Sequence, residues 1–178
     1  MARVLWHVTM SLDGFIAGPG NAMEWMLGFA DESDEVNEVL PQIGAVLAGR
    51  HTYDVGAGQK RPEFKRPYDG AFDGPVFVLT HHPPKDPSVT FLSGDITRAV
   101  ETASEAAGDR YLVVPGADVA RQCLEAGLLE EALIHVVPTL LGDGVRLFSR
   151  PGGDAIRLEL AGVSRANQVT NLRLWYVG

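Results

Sequence analysis

The succession of apolar segments along the chain constrains its fold more than any single motif does. Up to Glu125, short segments rich in β-branched residues alternate with amphipathic segments of helical period. Beyond that residue, strand-like segments follow one another and are joined only by short turns. The first pattern predicts parallel strands connected by helices, whereas the second predicts antiparallel strands.

No flexible linker separates the two patterns. We therefore expect one α/β domain over residues 1–178, with a mixed, mostly parallel central sheet, flanking helices and antiparallel C-terminal strands. The predicted strands cover residues 4–11, 45–48, 75–80, 89–92, 111–114, 132–137, 145–148, 156–162 and 169–177. The predicted helices cover residues 31–43, residues 96–107 after an Asp95 cap, and a segment from residue 117 that has Val119, Cys123 and Leu124 on one face.

Composition excludes several classes of function. The 178 residues carry a formal net charge of -8, whereas non-specific binding to nucleic acid requires a broad basic surface. No segment approaches the roughly 20 apolar residues of a membrane span, and no secretory pattern is found. The one cysteine, Cys123, is expected in the core, and His7, His51 and His135 lack partners at metal-ligand spacing. We expect a cytoplasmic protein without a metal that binds neither nucleic acid nor membrane.

Glycine and polar residues stand where three of the predicted parallel strands end. These junctions are residues 49–52 (Gly-Arg-His-Thr), 80–82 (Thr-His-His) and 116–119 (Gly-Ala-Asp-Val). Ligands of open α/β sheets bind beyond the carboxyl ends of the strands, and helix N-termini together with an arginine favour phosphate. The three junctions therefore predict one dinucleotide site, with Arg50 and Thr52 on the phosphates. The Gly-x-Gly-x-x-Gly fingerprint of Rossmann folds follows none of the predicted strands.

Two predicted loops differ sharply in composition. Residues 14–26 are rich in glycine but unusually apolar for a loop, and they include Met23 and Trp25. Such a segment is expected to pack over another part of the molecule. Residues 56–74 contain glycines, prolines and basic residues instead, and are expected to form an exposed loop.

Four motifs of this sequence resemble those of a known superfamily. They are residues 10–17 (Met-Ser-Leu-Asp-Gly-Phe-Ile-Ala), 21–25 (Asn-Ala-Met-Glu-Trp), 49–53 (Gly-Arg-His-Thr-Tyr) and 140–148 (Leu-Leu-Gly-Asp-Gly-Val-Arg-Leu-Phe). In this order they resemble the dihydrofolate-reductase-like superfamily, above all the C-terminal reductase domain of the bifunctional riboflavin-biosynthesis deaminase–reductase. The resemblance extends over nearly the whole chain. It implies a single-domain dihydrofolate-reductase-like fold and a homodimer in contact through the C-terminal strands.

The resemblance also implies most of the cofactor site. It places Thr9, Ile16 and Ala17 beside the nicotinamide of NADPH, and Thr80 and His81 beside the adenosine 2′-phosphate. The remaining implied cofactor contacts lie at the phosphates and are made by Gly49, Arg50, Thr52, Gly116, Ala117 and Val119.

The implied activity is a NAD(P)H-dependent reduction. A hydride passes from nicotinamide C4 to a polarised C=O or C=N of a small heterocycle, such as 5-amino-6-(5-phosphoribosylamino)uracil or a pterin such as dihydrofolate. Ser11 and Asp13 are implied as catalytic residues at the substrate pocket. Met23 and Trp25 are implied in a mobile loop that covers the nicotinamide and the substrate.

The source of the proton stays open. Asp13 and Glu24 are nearest along the sequence, whereas the folate reductases of the superfamily use an acid on the first long helix. Four acids stand there, namely Asp31, Glu32, Asp34 and Glu35. Because acids at a helix start also complement the helix dipole, the sequence singles out none of them.

Two residues depart from the pattern of the superfamily. His81 stands where relatives have an arginine for the 2′-phosphate, so the expected preference for NADPH is weakened and NADH is kept as an alternative. Pro115 precedes Gly116 where relatives have two glycines. The second change favours the alternative function, a non-catalytic nucleotide-binding or ligand-sensing protein that retains the fold.

Overall fold

Eight strands form the central sheet of the computed structural model, which describes residues 2–29, 34–61 and 65–177. In chain order the elements are β1 (Arg3–Ser11), β2 (Phe15–Ala17), α1 (Asp34–Val39), β3 (Ile43–Gly49), α2 (Arg50–Gly58), β4 (Val76–Leu79), β5 (Thr90–Leu92), α3 (Ile96–Ala107), β6 (Tyr111–Val114), α4 (Ala117–Glu125), β7 (Glu131–Val137), β8 (Val145–Arg146), β9 (Leu158–Ala166) and β10 (Val169–Tyr176). The order across the sheet is β5-β4-β3-β6-β1-β7-β10-β9. The first six strands of this order, from β5 across to β7, are parallel to one another. Strand β10 runs antiparallel to both of its neighbours. This is the mixed, mostly parallel sheet that the sequence predicts.

Helices α3 and α4 cover one face of the sheet. The Asp95 side chain begins α3 by accepting a hydrogen bond of 3.0 Å from the Arg98 backbone N–H, as predicted. The buried side chains of the two helices are Ala99, Val100, Ala103, Ala107, Val119, Ala120, Cys123 and Leu124. Burial raises the pKa of the Cys123 thiol to about 12, as expected for a cysteine that packs in the core.

Shorter elements cover the opposite face. Helix α1 and the turn Pro67–Gly70 lie there, and Tyr68 and Phe72 pack against the sheet. The core residues of this face are Leu5, Val39, Ile43, Val46, Tyr111, Val113 and Leu133. The prediction of a wholly exposed loop over residues 56–74 is therefore wrong, because α2 extends to Gly58 and two aromatic rings of the segment are needed to cover the sheet.

The boundaries of three other predicted segments differ from the structure. The described part of the first helix ends at Val39 and continues as the 3-10 turn Leu40–Gln42, because Pro41 lacks the N–H that an α-helix requires. Residues 31–33 lie outside the described part of the chain. Only Val145–Arg146 of the predicted strand 145–148 is a strand, and it pairs with β2 in a separate two-stranded sheet. Strand β9 begins later than predicted and ends at Ala166.

Candidate functional site

The carboxyl ends of β3 and β6 form a crevice near the centre of the sheet. The two strands are adjacent and parallel, but the chain leaves them in opposite directions. Strand β3 leads through α2 to β4 on one side, whereas β6 leads through α4 to β7 on the other. At such a topological switch point the two connections separate and leave room for a ligand. The predicted junctions 49–52 and 116–119 both lie here.

Glycines begin both helices at this crevice. Gly49 precedes α2 and Gly116 precedes α4, so neither helix has a side chain to cap its first N–H groups. A Cβ on Gly116 would overlap Thr52 Oγ1, and a Cβ on Gly49 would lie 3.1 Å from a methyl carbon of Val119. The two helix starts are therefore in close contact. Their N–H groups and dipoles favour an anion in the crevice.

Arg50 connects the crevice with the third junction. Its Nε donates to Asp54, with both carboxylate oxygens at 2.8 Å, and its Nη1 donates to the backbone carbonyl of His82. The Arg50 side chain is 40% exposed, so a phosphate can approach it from solvent. The structure thus brings all three junctions together. It also places the Asp54 carboxylate one turn later on the same helix, where it would compete with a phosphate for the Arg50 guanidinium.

The other predicted phosphate contacts differ in exposure. Thr80 is buried, and its hydroxyl accepts a hydrogen bond of 3.2 Å from the His82 backbone N–H, which shapes the turn after β4. His81 is exposed beside it, and Ala117 is half-buried at the start of α4. His81 is therefore accessible to a ligand, whereas Thr80 contributes mainly to the shape of the backbone.

Hydrogen bonds of Asn21 join segment 14–26 to α2 and to the residue that follows it. The Oδ1 atom of Asn21 lies 3.2 Å from Nε2 of His51, and Gln59 donates a hydrogen bond of 3.3 Å to the Asn21 carbonyl. Because His51 belongs to the first turn of α2, the segment covers one side of the crevice.

Four predicted site residues belong to this segment. Ala17 is buried, whereas Ile16, Met23 and Trp25 are half-buried. The Trp25 Nε1 donates a hydrogen bond of 3.1 Å to a backbone carbonyl three residues earlier, which fixes the indole ring. A half-exposed indole in this position can report on a bound ligand by its fluorescence.

The Asp13 carboxylate joins two distant motifs of the sequence. It accepts hydrogen bonds from the Ser11 hydroxyl at 2.6 Å and from the N–H groups of Leu141 at 3.1 Å and Gly142 at 2.7 Å. These bonds, with that from Ser11 the largest cause, lower the pKa of Asp13 to about 2. Such a carboxylate carries no proton at neutral pH. Its contacts favour a role in holding residues 140–142 next to the end of β1, and catalysis by Ser11 and Asp13 stays a prediction.

A row of polar side chains crosses four adjacent strands on the face of α1. In register, Thr9 of β1 pairs with His135 of β7, His135 with Asn171 of β10, and Asn171 with Ser164 of β9. We call these residues the polar row. His135 and Asn171 are buried, whereas Thr9 is half-exposed although β1 is a central strand. The half-exposed Thr9 is therefore where the polar row is open to a ligand, and we call this opening the cleft at Thr9.

Hydrogen bonds extend the polar row in two directions. The Nε2 atoms of His135 and His7 are 2.7 Å apart, and Nδ1 of His7 lies 2.6 Å from the Tyr68 hydroxyl. On the other side, Nδ1 of His135 lies 2.6 Å from Asn171 Oδ1, and Asn171 Nδ2 donates to Glu35 Oε2 at 2.6 Å. These five residues form one continuous chain of hydrogen bonds, which we call the buried chain.

Both imidazoles of the buried chain are neutral at pH 7. Burial is the largest cause that lowers the pKa of His7 to about 3, and the nearby His135 and Arg173 lower it further. Burial also lowers the pKa of His135, against smaller opposing effects from the hydrogen bond with Asn171 and the charge of Glu35. The apolar surroundings therefore favour uncharged rings, each of which can donate one hydrogen bond and accept one.

Glu35 is the acid of the first helix that the structure brings to the sheet. Asp31, Glu32 and the side chain of Asp34 lie outside the described part of the chain. Glu24 is exposed, and its carboxylate accepts a hydrogen bond from the backbone of the preceding residue. The contact between Glu35 and Asn171 places a carboxylate on the same face of the sheet as Thr9, two strands away.

Sequence reasoning missed the buried chain. Metal-ligand spacing gives His7 no role, although strand alternation puts it on the same face of β1 as Thr9 and Ser11. That alternation could have revealed His7. The neighbours His135 and Asn171 depend on the register between distant strands, which the sequence does not specify.

Several kinds of site are not found in the part of the chain that the structure describes. Residues 2–29, 34–61 and 65–177 contain no cluster of three or more His, Cys, Asp or Glu side chains that could hold a metal ion. No helix of these residues has the length and apolar content to cross a membrane. The basic side chains of the 56–74 segment, Lys60, Arg61, Lys65 and Arg66, are exposed.

Comparison with known families identifies the chain. The family model of the RibD C-terminal domain matches residues 2–172. The chain belongs to the RibD C-terminal domain family. The superfamily predicted from the four sequence motifs is thereby confirmed.

Individual relatives agree with this family. The chain is 25% identical over 173 residues to the uncharacterized protein YwjB of Bacillus subtilis (strain 168), which covers 96% of this chain and 95% of that protein. The protein from Shewanella sp. PV-4 that is described as a "Putative riboflavin biosynthesis protein" has the same fold, with a TM-score of 0.79, 21% identity and coverage of 100% of both chains. Dihydrofolate reductase from Enterococcus faecalis, solved with NADP(H), gives a TM-score of 0.66 at 11% identity, over 98% of this chain and 95% of that one. The family supports a reductase role, and the two solved structures show that the chain has their fold.

Proposed function

We propose that this protein binds NADPH in the crevice between β3 and β6 and reduces a small heterocycle in the cleft that opens at Thr9. The observation that carries the proposal is the contact between two uncapped helix starts at Gly49 and Gly116, with the exposed Arg50 beside them. Glycine lets a pyrophosphate approach the backbone, and N–H groups with a guanidinium neutralise its charge. The residues present therefore fit a dinucleotide.

The predicted contacts can be assigned to parts of the cofactor. Arg50, Thr52 and the N-termini of α2 and α4 would hold the phosphates, and His81 would lie near the adenosine end. Thr9, Ile16 and Ala17 would lie beside the nicotinamide. When bound, the cofactor supplies a hydride from C4 of its nicotinamide ring. Segment 14–26, with Met23 and Trp25, excludes water from that part of the site.

The substrate is proposed from the family and from the polar face of the cleft. A heterocycle with ring N–H and C=O groups, such as 5-amino-6-(5-phosphoribosylamino)uracil or a pterin, offers hydrogen bonds that match Thr9 and the Glu35 carboxylate. Glu35 is also our candidate for delivering the proton, because its carboxylate lies on the same face of the sheet as Thr9, two strands away. Asp13 is less suited to that role, because its carboxylate is ionised and already accepts hydrogen bonds from Ser11, Leu141 and Gly142.

A second candidate function is nucleotide binding without turnover. The pairing of Arg50 with Asp54 favours it, since the main phosphate cation is already partly neutralised. Both functions require the same crevice. They differ in whether a bound dinucleotide is oxidised when a heterocycle is added.

Titration with NADPH and with NADH, followed by tryptophan fluorescence, tests the proposal. Trp25 lies half-exposed in the segment that is hydrogen-bonded to α2, so we expect quenching on binding, with NADPH binding at least as tightly as NADH. A Trp25→Phe variant should bind NADPH with less quenching, which separates the signal of Trp25 from the other tryptophans. If neither cofactor binds at millimolar concentration, the proposed reductase function is wrong.

The edge of the sheet supports the predicted homodimer. Strand β9 is an edge strand, and Leu160 and Val163 on it are 59% and 58% exposed. Apolar side chains on an unpaired strand commonly mark a contact with another chain. Light scattering of Leu160→Lys should then give a monomer where the unaltered protein gives a dimer. The homodimer and a cytoplasmic location stay predictions.

A further inference from the structure

The donor and acceptor roles along the buried chain depend on one another. Each neutral imidazole has one N–H donor and one bare nitrogen acceptor. His7 and His135 are each used at both ring nitrogens, with partners at 2.6 to 2.7 Å. Every bond in the chain therefore fixes the direction of the next one.

The direction follows from its charged end. A carboxylate only accepts hydrogen bonds, so Asn171 presents its NH₂ group to Glu35 and its Oδ1 atom to His135. His135 must then carry its proton on Nδ1, which leaves its Nε2 bare. The Nε2 of His7 must in turn carry a proton and donate, and the Tyr68 hydroxyl donates to Nδ1 of His7.

The other neighbours do not set this direction. Ser164 Oγ lies 3.1 Å from Asn171 Nδ2, but a hydroxyl can donate or accept. The Tyr68 hydroxyl at the far end has the same freedom. The charged groups facing the histidines are Glu35 on one side and Arg173, which pairs with Glu131 at 3.2 Å, on the other.

We infer that His7, His135 and Asn171 form a one-directional hydrogen-bond relay, set by the Glu35 charge, that positions the Asn171 amide and thereby holds the Glu35 carboxylate at the substrate cleft. The three are positioning residues. The part of this inference that concerns the substrate rests on the proposed function, whereas the direction of the relay does not.

The relay predicts specific effects on turnover. Asn171→Leu removes the amide donor to Glu35, so the position of the carboxylate is no longer fixed. We expect kcat to fall about tenfold, with little change in NADPH affinity. Asn171→Gln keeps an amide and should recover part of the activity. Ser164→Ala removes the other acceptor of the same amide but leaves its bond to Glu35, so kcat should stay within about twofold of that of the unaltered protein.

Nitrogen-15 NMR of the histidine side chains tests the direction without cofactor or turnover. At pH 7 we expect neutral rings, with the proton on Nε2 in His7 and on Nδ1 in His135. Glu35→Leu and Glu35→Gln should both give His135 signals from the Nε2–H form, because neither side chain is limited to accepting a hydrogen bond from Asn171. Tyr68→Phe should leave His135 unchanged.

The NMR measurement and the turnover measurement can fail independently of each other. A charged ring, an Nε2–H form of His135 in the unaltered protein, or identical tautomers in Glu35→Leu would overturn the relay even if the enzyme is active. If Tyr68→Phe reverses the tautomers, the direction is set from the wrong end and the inference is also overturned. Expected tautomers in a protein that reduces no heterocycle would instead contradict the proposed function and leave the relay intact.

Discussion

The two halves of the candidate site are built in opposite ways. The cofactor half consists of backbone N–H groups at Gly49 and Gly116 and of an exposed arginine paired with Asp54. The substrate half consists of buried side chains, in which neutral histidines pass hydrogen bonds to Glu35. We therefore expect shape and local charge to govern binding in the first half, and burial and protonation state to govern the behaviour of the second. The two halves should respond to different perturbations.

The largest expected effect is a loss of stability in acid, caused by the substrate half. The pKa of His7 falls from 6.5 to about 3 on folding, so the unfolded chain binds more protons than the native one between these values. The contribution of His7 to the free energy of unfolding is therefore fully present above about pH 6.5 and decreases as the pH falls towards 3. Urea unfolding should show a loss of about 2 kcal/mol between pH 7.5 and pH 5 from His7 alone.

The matched control for this effect removes both buried imidazoles. In a His7→Leu, His135→Leu double variant, the free energy of unfolding should differ less between the two pH values. The difference that remains should be the part that the carboxylates contribute. A His82→Asn variant, which changes an exposed histidine, should keep the full difference. Equal stability of the unaltered protein at both pH values would show that the histidines are not buried as neutral rings.

The next largest effect concerns the shape of the cofactor half. Gly116→Ala adds a methyl group that overlaps Thr52 Oγ1 and fills the space between the two helix starts. We expect NADPH to bind at least about tenfold more weakly, which is about 1.4 kcal/mol. Gly162→Ala is the matched control, because a Cβ there meets open space. Undiminished affinity in Gly116→Ala would place the phosphates elsewhere.

The charge of the cofactor half has a smaller expected effect. Arg50→Ala removes the guanidinium but leaves the helix N-termini, so NADPH should bind about fivefold more weakly, or about 1 kcal/mol. Fluorescence titration measures this change. Arg110→Ala alters an exposed arginine at the amino end of β6, away from the crevice, and should have no effect. Equal affinities of the two variants for NADPH would show that Arg50 does not contribute to the cofactor site.

The smallest effect tests the competition for Arg50. Asp54→Asn releases the guanidinium from its carboxylate partner, and a helix pair of this spacing contributes only about 0.3–0.5 kcal/mol. NADPH should therefore bind about twofold more tightly. A weaker affinity would mean that Asp54 helps to position Arg50 instead of competing with the phosphate.

The sequence predicts the cofactor half much better than the substrate half. Strand period, the Asp95 cap and the glycines at strand ends are local signals, and all of them recur in the structure. The environment of His7 depends on Tyr68, which lies 61 residues away, and on His135, 128 residues away. Such contacts are determined by strand order and register and by the packing of a turn that resembles an exposed loop in the sequence. A local pattern carries no information about them.

The pairing of Arg50 shows a second kind of limit. The sequence indicates that Arg50 begins a helix at a strand end, and the structure confirms this position. The same spacing places Asp54 one turn later, where its carboxylate meets the guanidinium. A residue type that favours phosphate can therefore be present and correctly placed while part of its charge is already matched.

Single-turnover reduction tests the central claim most directly. The protein is mixed with NADPH and, in turn, with an aminopyrimidine ribotide and with dihydrofolate, and the absorbance of the reduced nicotinamide is followed. We predict a loss of absorbance with at least one of the two, slowed about tenfold in Asn171→Leu. Binding of NADPH with no loss of absorbance for either heterocycle would contradict the proposed reductase and favour a nucleotide-binding protein without turnover.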